Sequence, residues 1–235
     1  MPYYMYFGAD APWIILMLAT TVFAIIAQIK VKSTFAKYSK EASARRITGA
    51  QAARLILDRN GLTNVRIERI SGELTDHYDP KTNVVRLSDS VHDSPSVAAI
   101  GVAAHECGHA VQHAVGYGPI KLRMAIIPVT QLSSKAAVPL IIIGLIIGFT
   151  GIAYLGVACF AVATFFQLVT LPVEFNASSR AMTTLEEYGT LDDGELRGAR
   201  KVLTAAAMTY VAALATSLVQ LLRFLAMVRG NNRRR

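Results

Sequence analysis

The chain has little cysteine, little tryptophan and, over long stretches, no charge of either sign. Only Cys107 and Cys159 are present among 235 residues, which excludes a disulfide scaffold. Charged residues make up 17% against 53% apolar, and mean hydropathy is positive at +0.38, which excludes a disordered chain. Acidic residues are the minority, 16 against 24 Lys and Arg, for a formal charge of +8. No basic stripe with interleaved aromatics accompanies that excess, so no nucleic-acid partner is expected.

The missing charge is organised. Residues 11–29 and 202–222 carry none, and residues 136–173 carry none over 38 positions. A helix needs about 20 apolar residues to cross the hydrocarbon core, so the longest run fits two spans, turning at Gly148-Phe149-Thr150-Gly151. Basic residues flank these runs, as membrane orientation requires. The pattern predicts a mainly α integral membrane protein, multi-pass in the cell membrane, with the lipid bilayer as one partner. Its expected parts are an N-terminal anchor over 1–30, a soluble region over 31–135 and a helical hairpin over 136–173. A helix and loop over 174–201 and an apolar helix with a basic tail over 202–235 complete the order. Residues 11–29 have no positive segment before them and no small-x-small cleavage site after them, so they read as a retained anchor rather than a signal peptide.

Fifteen Lys and Arg lie in 30–135, four in 172–201, and none in 1–29 or 136–173. The positive-inside rule puts both basic segments in the cytoplasm. It puts Tyr3, Tyr4, Tyr6, Phe7 and Trp13 at the outer interface. The five Arg of 223–235 conflict with this, because four spans would strand them outside. Thr204, Thr209, Tyr210, Thr216, Ser217 and Gln220 make 202–222 the most polar candidate. It either crosses against the rule or packs on the soluble region or the interface, so three to four apolar helices are expected to span.

Within the soluble region, Thr48-Gly49-Ala50-Gln51 has the form of a capping box. The helix it opens should end near Gly61. Val65–Ile70 alternates like a half-buried strand, and Leu74–Tyr78 and Val84–Leu87 read as a strand pair across a turn at 79–83. Ser94-Pro95 reads as a helix start, with Ser as cap, and that helix should run to about Val115.

On that helix stands His105-Glu106-Cys107-Gly108-His109. Two His four residues apart share one helix face, so both imidazoles can reach one metal ion. Glu106, beside the first His, can take a proton from the attacking water without ligating. This is the HExxH arrangement of zinc hydrolases. With five His and eight Glu in the chain, about 0.004 such motifs are expected by chance. Ala103, Ala104, Gly108 and Ala110 leave room for another element to approach.

Catalytic zinc takes three protein ligands and keeps a position open. His113 suits the helix C-terminus better than the metal. Glu174 is the stronger third ligand, since Leu171-Pro172 reads as a helix start on which Glu174, Ala177, Ser178 and Ala181 share a face. The hairpin would return Glu174 to the membrane face that holds His105. Cys107 reads as a packing residue, Asn176-Ala177-Ser178 as an unmodified cytoplasmic sequon, and Leu191-Asp192-Asp193-Gly194 as a turn.

The HExxH helix, the apolar hairpin and the later Glu-x-x-Ala helix together resemble the bacterial membrane neutral zinc metallopeptidases, the YugP-like family. More distantly they are similar to HtpX and the CAAX-prenyl proteases. The closer resemblance runs from Asp76-His77-Tyr78 through Tyr210-Val211-Ala212. It implies zinc held by His105, His109 and Glu174, with Glu106 as catalytic base and a protein or peptide as substrate. It also implies a small α+β, zincin-like catalytic region on one membrane face, expected to be the cytoplasmic one. In HtpX the Glu-x-x-Ala is followed by an Asp that orients a ligand His; Ser178 stands there instead, as the candidate outer-shell partner. His77, Tyr78 and Arg180 are the candidate oxyanion or substrate donors. The strand at Val84–Leu87 is a candidate to bind substrate as an added strand.

Three other readings compete. An intramembrane site-2-type protease would bury the HExxH helix in lipid, but the uncharged run before His105 starts after Asp93 and has only 11 residues. A non-catalytic metal-binding or transport protein would need ionisable groups inside the spans, and the charge-free runs contain no Asp, Glu, His, Lys or Arg. An inactive scaffold would have no need of an intact Glu106.

Overall fold

Long apolar runs without turn residues form long helices, and the computed structural model has four of them. It describes the backbone of residues 4–232 and the side chains of residues 11–231. In chain order the elements are α1 (Tyr4–Tyr38), α2 (Gly49–Arg59), β1 (Arg66–Ile70), β2 (His77–Asp79), β3 (Val84–Ser88), α3 (Asp89–His92), α4 (Val97–Ala114), α5 (Gly118–Ile146), α6 (Thr150–Glu187) and α7 (Asp193–Asn232). Tyr3, the side chains of Tyr4, Tyr6 and Phe7, and Arg233, Arg234 and Arg235 lie outside the described residues. The protein is mainly α, with four helices long and apolar enough to cross a membrane: Ala11–Tyr38, Gly118–Ile146, Thr150–Glu187 and Asp193–Asn231.

The chain divides into two compact units. The first comprises Met1–Ile26, Leu122–Leu171 and Thr209–Arg235. Here α5 turns into α6 through Gly148, whose φ of +72° suits glycine. The two helices approach closely because small residues face each other, Gly144 against Ala153 and Gly156 against Ala137 and Ile141. A small core of Ile141, Ala153, Val157, Phe224 and Val228 includes Phe160 and Phe224 edge to face, 5.2 Å between ring centres. Most of the remaining apolar surface is open, as at Leu132, Ile146 and Phe149, and hydrocarbon rather than protein can cover it. The expectation that 202–222 would be the most polar candidate is corrected: the best stretch of α7 is more apolar than that of α5. The Thr216 hydroxyl is satisfied within the helix, by the Ala212 carbonyl 2.9 Å away.

The second unit comprises Ala27–Lys121 and Pro172–Met208. Its centre is α4, a mostly apolar helix buried on nearly every side. Around it pack Ala52, Ala53, Ile56 and Leu57 of α2, Val85 and Leu87 of β3, Ala181 and Leu185 of α6, and Ala199 and Val202 of α7. The Thr48–Gln51 capping box forms as expected, and the helix it opens stops at Asn60 and Gly61. The strands form one sheet in the order β1-β3-β2, β1 parallel and β2 antiparallel to β3. β3 is therefore the central strand, paired on both edges, which corrects the expectation that Val84–Leu87 could accept a substrate strand. Its apolar residues 84, 85 and 87 are buried, as a covered central strand requires. Arg86, between them, pairs with Asp79 at 3.0 Å and with Glu68 at 3.5 Å on the outer face. β2 starts at His77 rather than Leu74, whose φ of +56° is left-handed.

Three further helix boundaries differ from the sequence expectation. The cap of α4 is Ser96, not Ser94: residues 94–96 are drawn out by Ser43 N–H donating to the Pro95 carbonyl and Val97 N–H to the Glu41 carbonyl. Leu171-Pro172 does not start a helix, because α6 runs through it. Pro172 loses one main-chain bond, at a cost of about 3 kcal/mol. Burial of Val173, Ala177, Ala181 and Leu185 beyond it compensates. Asp192 is no simple turn residue: its carboxylate accepts the Glu195 N–H, and the Glu195 carboxylate accepts its own N–H, capping α7.

Helices α4 and α6 touch most closely at Gly108, where a Cβ would lie 2.6 Å from the Ala177 carbonyl oxygen. Gly108→Ala should therefore destabilise this unit by about 1–3 kcal/mol through overpacking. Gly230→Ala, with nothing within 4 Å of its Cβ, should not. Unfolding of the detergent-purified variants checks this; an unchanged Gly108→Ala protein would mean the helices can part without cost.

Candidate metal centre

α4 carries His105 and His109 one turn apart, their rings 4.7 Å apart and nearly perpendicular. α6 brings Glu174 to them. Its Oε2 lies 3.3 Å from His105 Nε2 and 3.6 Å from His109 Nε2. The three ligand atoms all fall within 4.8 Å of one another. Zinc bonds nitrogen and oxygen at about 2.0–2.1 Å, so tetrahedral ligand atoms stand about 3.3–3.5 Å apart. The donor set and its spacing fit that ion.

Glu174 is 2% exposed and His109 is 9% exposed. Burial works against a charge on His109, yet the Glu174 carboxylate, with Glu106 behind it, more than offsets this and raises its pKa. A rise in this direction makes protons compete with a metal cation for His109.

Each imidazole turns its other nitrogen outward. His105 Nδ1 lies 3.1 Å from the Ser178 hydroxyl. His109 Nδ1 lies 3.0 Å from Gln112 Oε1. Such outer partners hold ligand rings in place and tune their basicity. Glu106 is also buried, and its Oε2 accepts the Tyr78 main-chain N–H at 3.0 Å. β2 is kept there by Asp76, whose carboxylate accepts both the Ser88 N–H at 2.7 Å and the Ser88 hydroxyl at 2.9 Å. Burial pushes the Asp76 carboxyl up against those hydrogen bonds, and the Glu106 charge adds to the rise.

The other candidates separate. Tyr78 pairs with Val85 in register, on the sheet face turned to the core, and its phenol donates to Asn83 Oδ1 at 3.0 Å. His77 pairs with Arg86, on the outer face, and its Nδ1 lies 2.9 Å from the Thr75 carbonyl. Arg180 Nε donates to Asn176 Oδ1 at 2.9 Å and connects with the ligands only through Asn176 and Gln112. His113 is exposed and stands apart from the ligand group. Cys107 packs, as expected: it is fully buried, 3.6 Å from the Ala53 carbonyl, and burial raises its thiol pKa far above the usual range.

Sequence reasoning missed Asp76, Gln112 and Asn176 as contributors. Gln112 lies three residues after His109, a spacing that puts two side chains on one helix face, and that signal was available.

Residues 13–229 match a family described as "Putative neutral zinc metallopeptidase". The chain belongs to this neutral zinc metallopeptidase family. It is 51% identical, over 90% of its own length and 94% of the relative's, to a Bacillus subtilis (strain 168) protein described as "Putative membrane protease YugP". No solved structure matches it.

The geometry predicts one zinc bound per chain. Glu174→Ala should weaken binding by well over the 10–100-fold typical of losing an outer partner, and Ser178→Ala by no more than that range. Metal analysis and competition with a chelator would check both. Equal, small losses would mean Glu174 is not a ligand.

Proposed function

We propose that the chain is a membrane-anchored zinc endopeptidase, with His105, His109 and Glu174 as metal ligands and Glu106 as general base, working at the cytoplasmic face. The observation that carries this is the convergence of the three ligand atoms beside a buried carboxylate on the same helix. Bound there, zinc acts as a Lewis acid and brings the pKa of water down to about 7.

The residues of the chain do the rest. Glu106 takes the proton from the attacking water and later hands it to the leaving amine, a role worth about 10²–10⁴-fold. The Tyr78 N–H, donating to Glu106, sets the direction of that carboxylate. Of the three expected donors, Tyr78 is the one whose ring faces the core side of the sheet, so it is the preferred oxyanion or substrate contact. β2 is an edge strand, and an extended peptide adding to its free edge would run past Tyr78 and Glu106. Fifteen basic residues over 30–135 support the cytoplasmic assignment.

The test compares cleavage of an unfolded protein by the zinc-loaded parent and its Glu106→Gln variant. The variant should bind zinc normally and lose about 10²–10⁴-fold of activity. Cleavage that survives the substitution would remove Glu106 as base; a zinc-loaded parent that cleaves nothing would favour the non-catalytic alternative.

A further inference from the structure

A neutral imidazole carries its proton on either nitrogen, and only the Nδ1–H form leaves the Nε2 lone pair free for a metal. Two side chains face His109: Glu174 Oε2 stands 3.6 Å from Nε2, beyond hydrogen-bond distance, and Gln112 stands 3.0 Å from Nδ1, so Gln112 decides the form. The two ends of a side-chain amide are told apart by their partners, and here the partners leave no choice. One end lies 2.8 Å from the Val173 main-chain oxygen, a group that can only accept, so that end is the donating Nε2. The same nitrogen donates to Asn176 Oδ1 at 2.9 Å, and Asn176 is itself oriented by the Arg180 Nε, which can only donate. Turning Gln112 round would set oxygen against oxygen at both places. Its Oε1 therefore faces His109 Nδ1, and a carbonyl oxygen only accepts. Gln112 is 0% exposed, so water cannot substitute for any of these partners.

We propose that Gln112 is a positioning residue of the metal centre, which holds His109 in its Nδ1–H form and ties that ring to the α6 backbone next to Glu174. The inference rests on reading His105, His109 and Glu174 as metal ligands. It is specific to one of the two imidazoles. The Ser178 hydroxyl beside His105 can donate or accept, so it orients that ring without dictating its tautomer. Gln112 also bridges the two helices that supply the ligands: it stands on α4 and holds the carbonyl of the residue before Glu174.

The test uses the full chain in detergent, ¹⁵N-labelled at histidine, stripped of metal and held above the imidazole titration range. Ring-nitrogen NMR reads the tautomer, and loss of the signal in His109→Gln assigns it. The parent should show His109 protonated on Nδ1. Gln112→Leu should lose that preference and bind zinc about 10–100-fold more weakly in competition with a chelator. Gln112→Glu, which keeps an acceptor opposite Nδ1 but sets a second oxygen against the Val173 and Asn176 oxygens, should retain the tautomer while losing stability. A merely structural role would lower the thermal stability of both variants and leave the tautomer unmoved. A parent with the proton of His109 on Nε2 overturns the proposal without any variant, even should Gln112→Leu fail to fold. A folded Gln112→Leu protein that stays within about threefold of the parent's zinc affinity overturns it too. A parent that holds the Nδ1–H form but binds no zinc upholds the tautomer assignment and overturns the metal reading, so the two fail separately.

Discussion

The close approach of α4 and α6 is the constraint on which the catalytic unit depends. Helices usually pack with axes 8–10 Å apart, a distance set by the side chains between them. A metal site cannot tolerate that latitude, because its ligand atoms must converge to a few tenths of an ångström. At Gly108 the absent Cβ lets α4 rest on the Ala177 carbonyl, and one turn along Gln112 reaches the Val173 carbonyl of the same helix. Two contacts of α4 with the α6 backbone, one steric and one hydrogen-bonded, thus flank the position from which Glu174 meets both imidazoles.

That geometry would be costly if its polar groups were unmatched. Glu174, His109, Gln112 and Glu106 are all buried, and a polar group removed from water without a partner costs several kcal/mol. Instead they form a connected set. His109 is joined to Gln112, Gln112 to Asn176 and the α6 backbone, and Asn176 to Arg180. Glu106 is joined to the main chain of Tyr78, and the strand bearing Tyr78 is held by Asp76 and Ser88. Each link restricts the orientation of the next, and low local dielectric strengthens them together. Pre-organisation of the centre is thus a property of the apolar setting as well as of the ligands.

The parts of this arrangement that were legible in the sequence are those set by local rules. Charge-free runs located the apolar helices, Thr48 and Gln51 the start of α2, and the spacing of His105, Glu106 and His109 the core of the site. Glu174 was found from spacing and topology, although the reason given for its helix, a start at Pro172, was mistaken. Local signals failed where distant segments decide. Ser94 has every mark of a cap, but residues 41–43 pair with 95–97 and move the start to Ser96. Val84–Leu87 reads as one of two strands, and only the return of β1 alongside it makes it central. Gln112 is unremarkable until α6 lies against it. No property of residues 110–114 alone says that a carbonyl 61 positions later will fix its amide.

The setting of α4 also bears on how the chain uses the membrane. This helix is mostly apolar and buried apart from its site residues, a feature shared by buried core helices and membrane spans. It is not among the four helices long and apolar enough to cross, and protein already surrounds it: the α2 face, β3 and the unit-two parts of α6 and α7 cover its length. Along these contacts α4 has protein, rather than open surface, on its apolar face. Residues 136–173, in turn, carry no Asp, Glu, His, Lys or Arg, which an ion path would need. His105, Glu106, His109 and Glu174 all belong to the unit that contains α4.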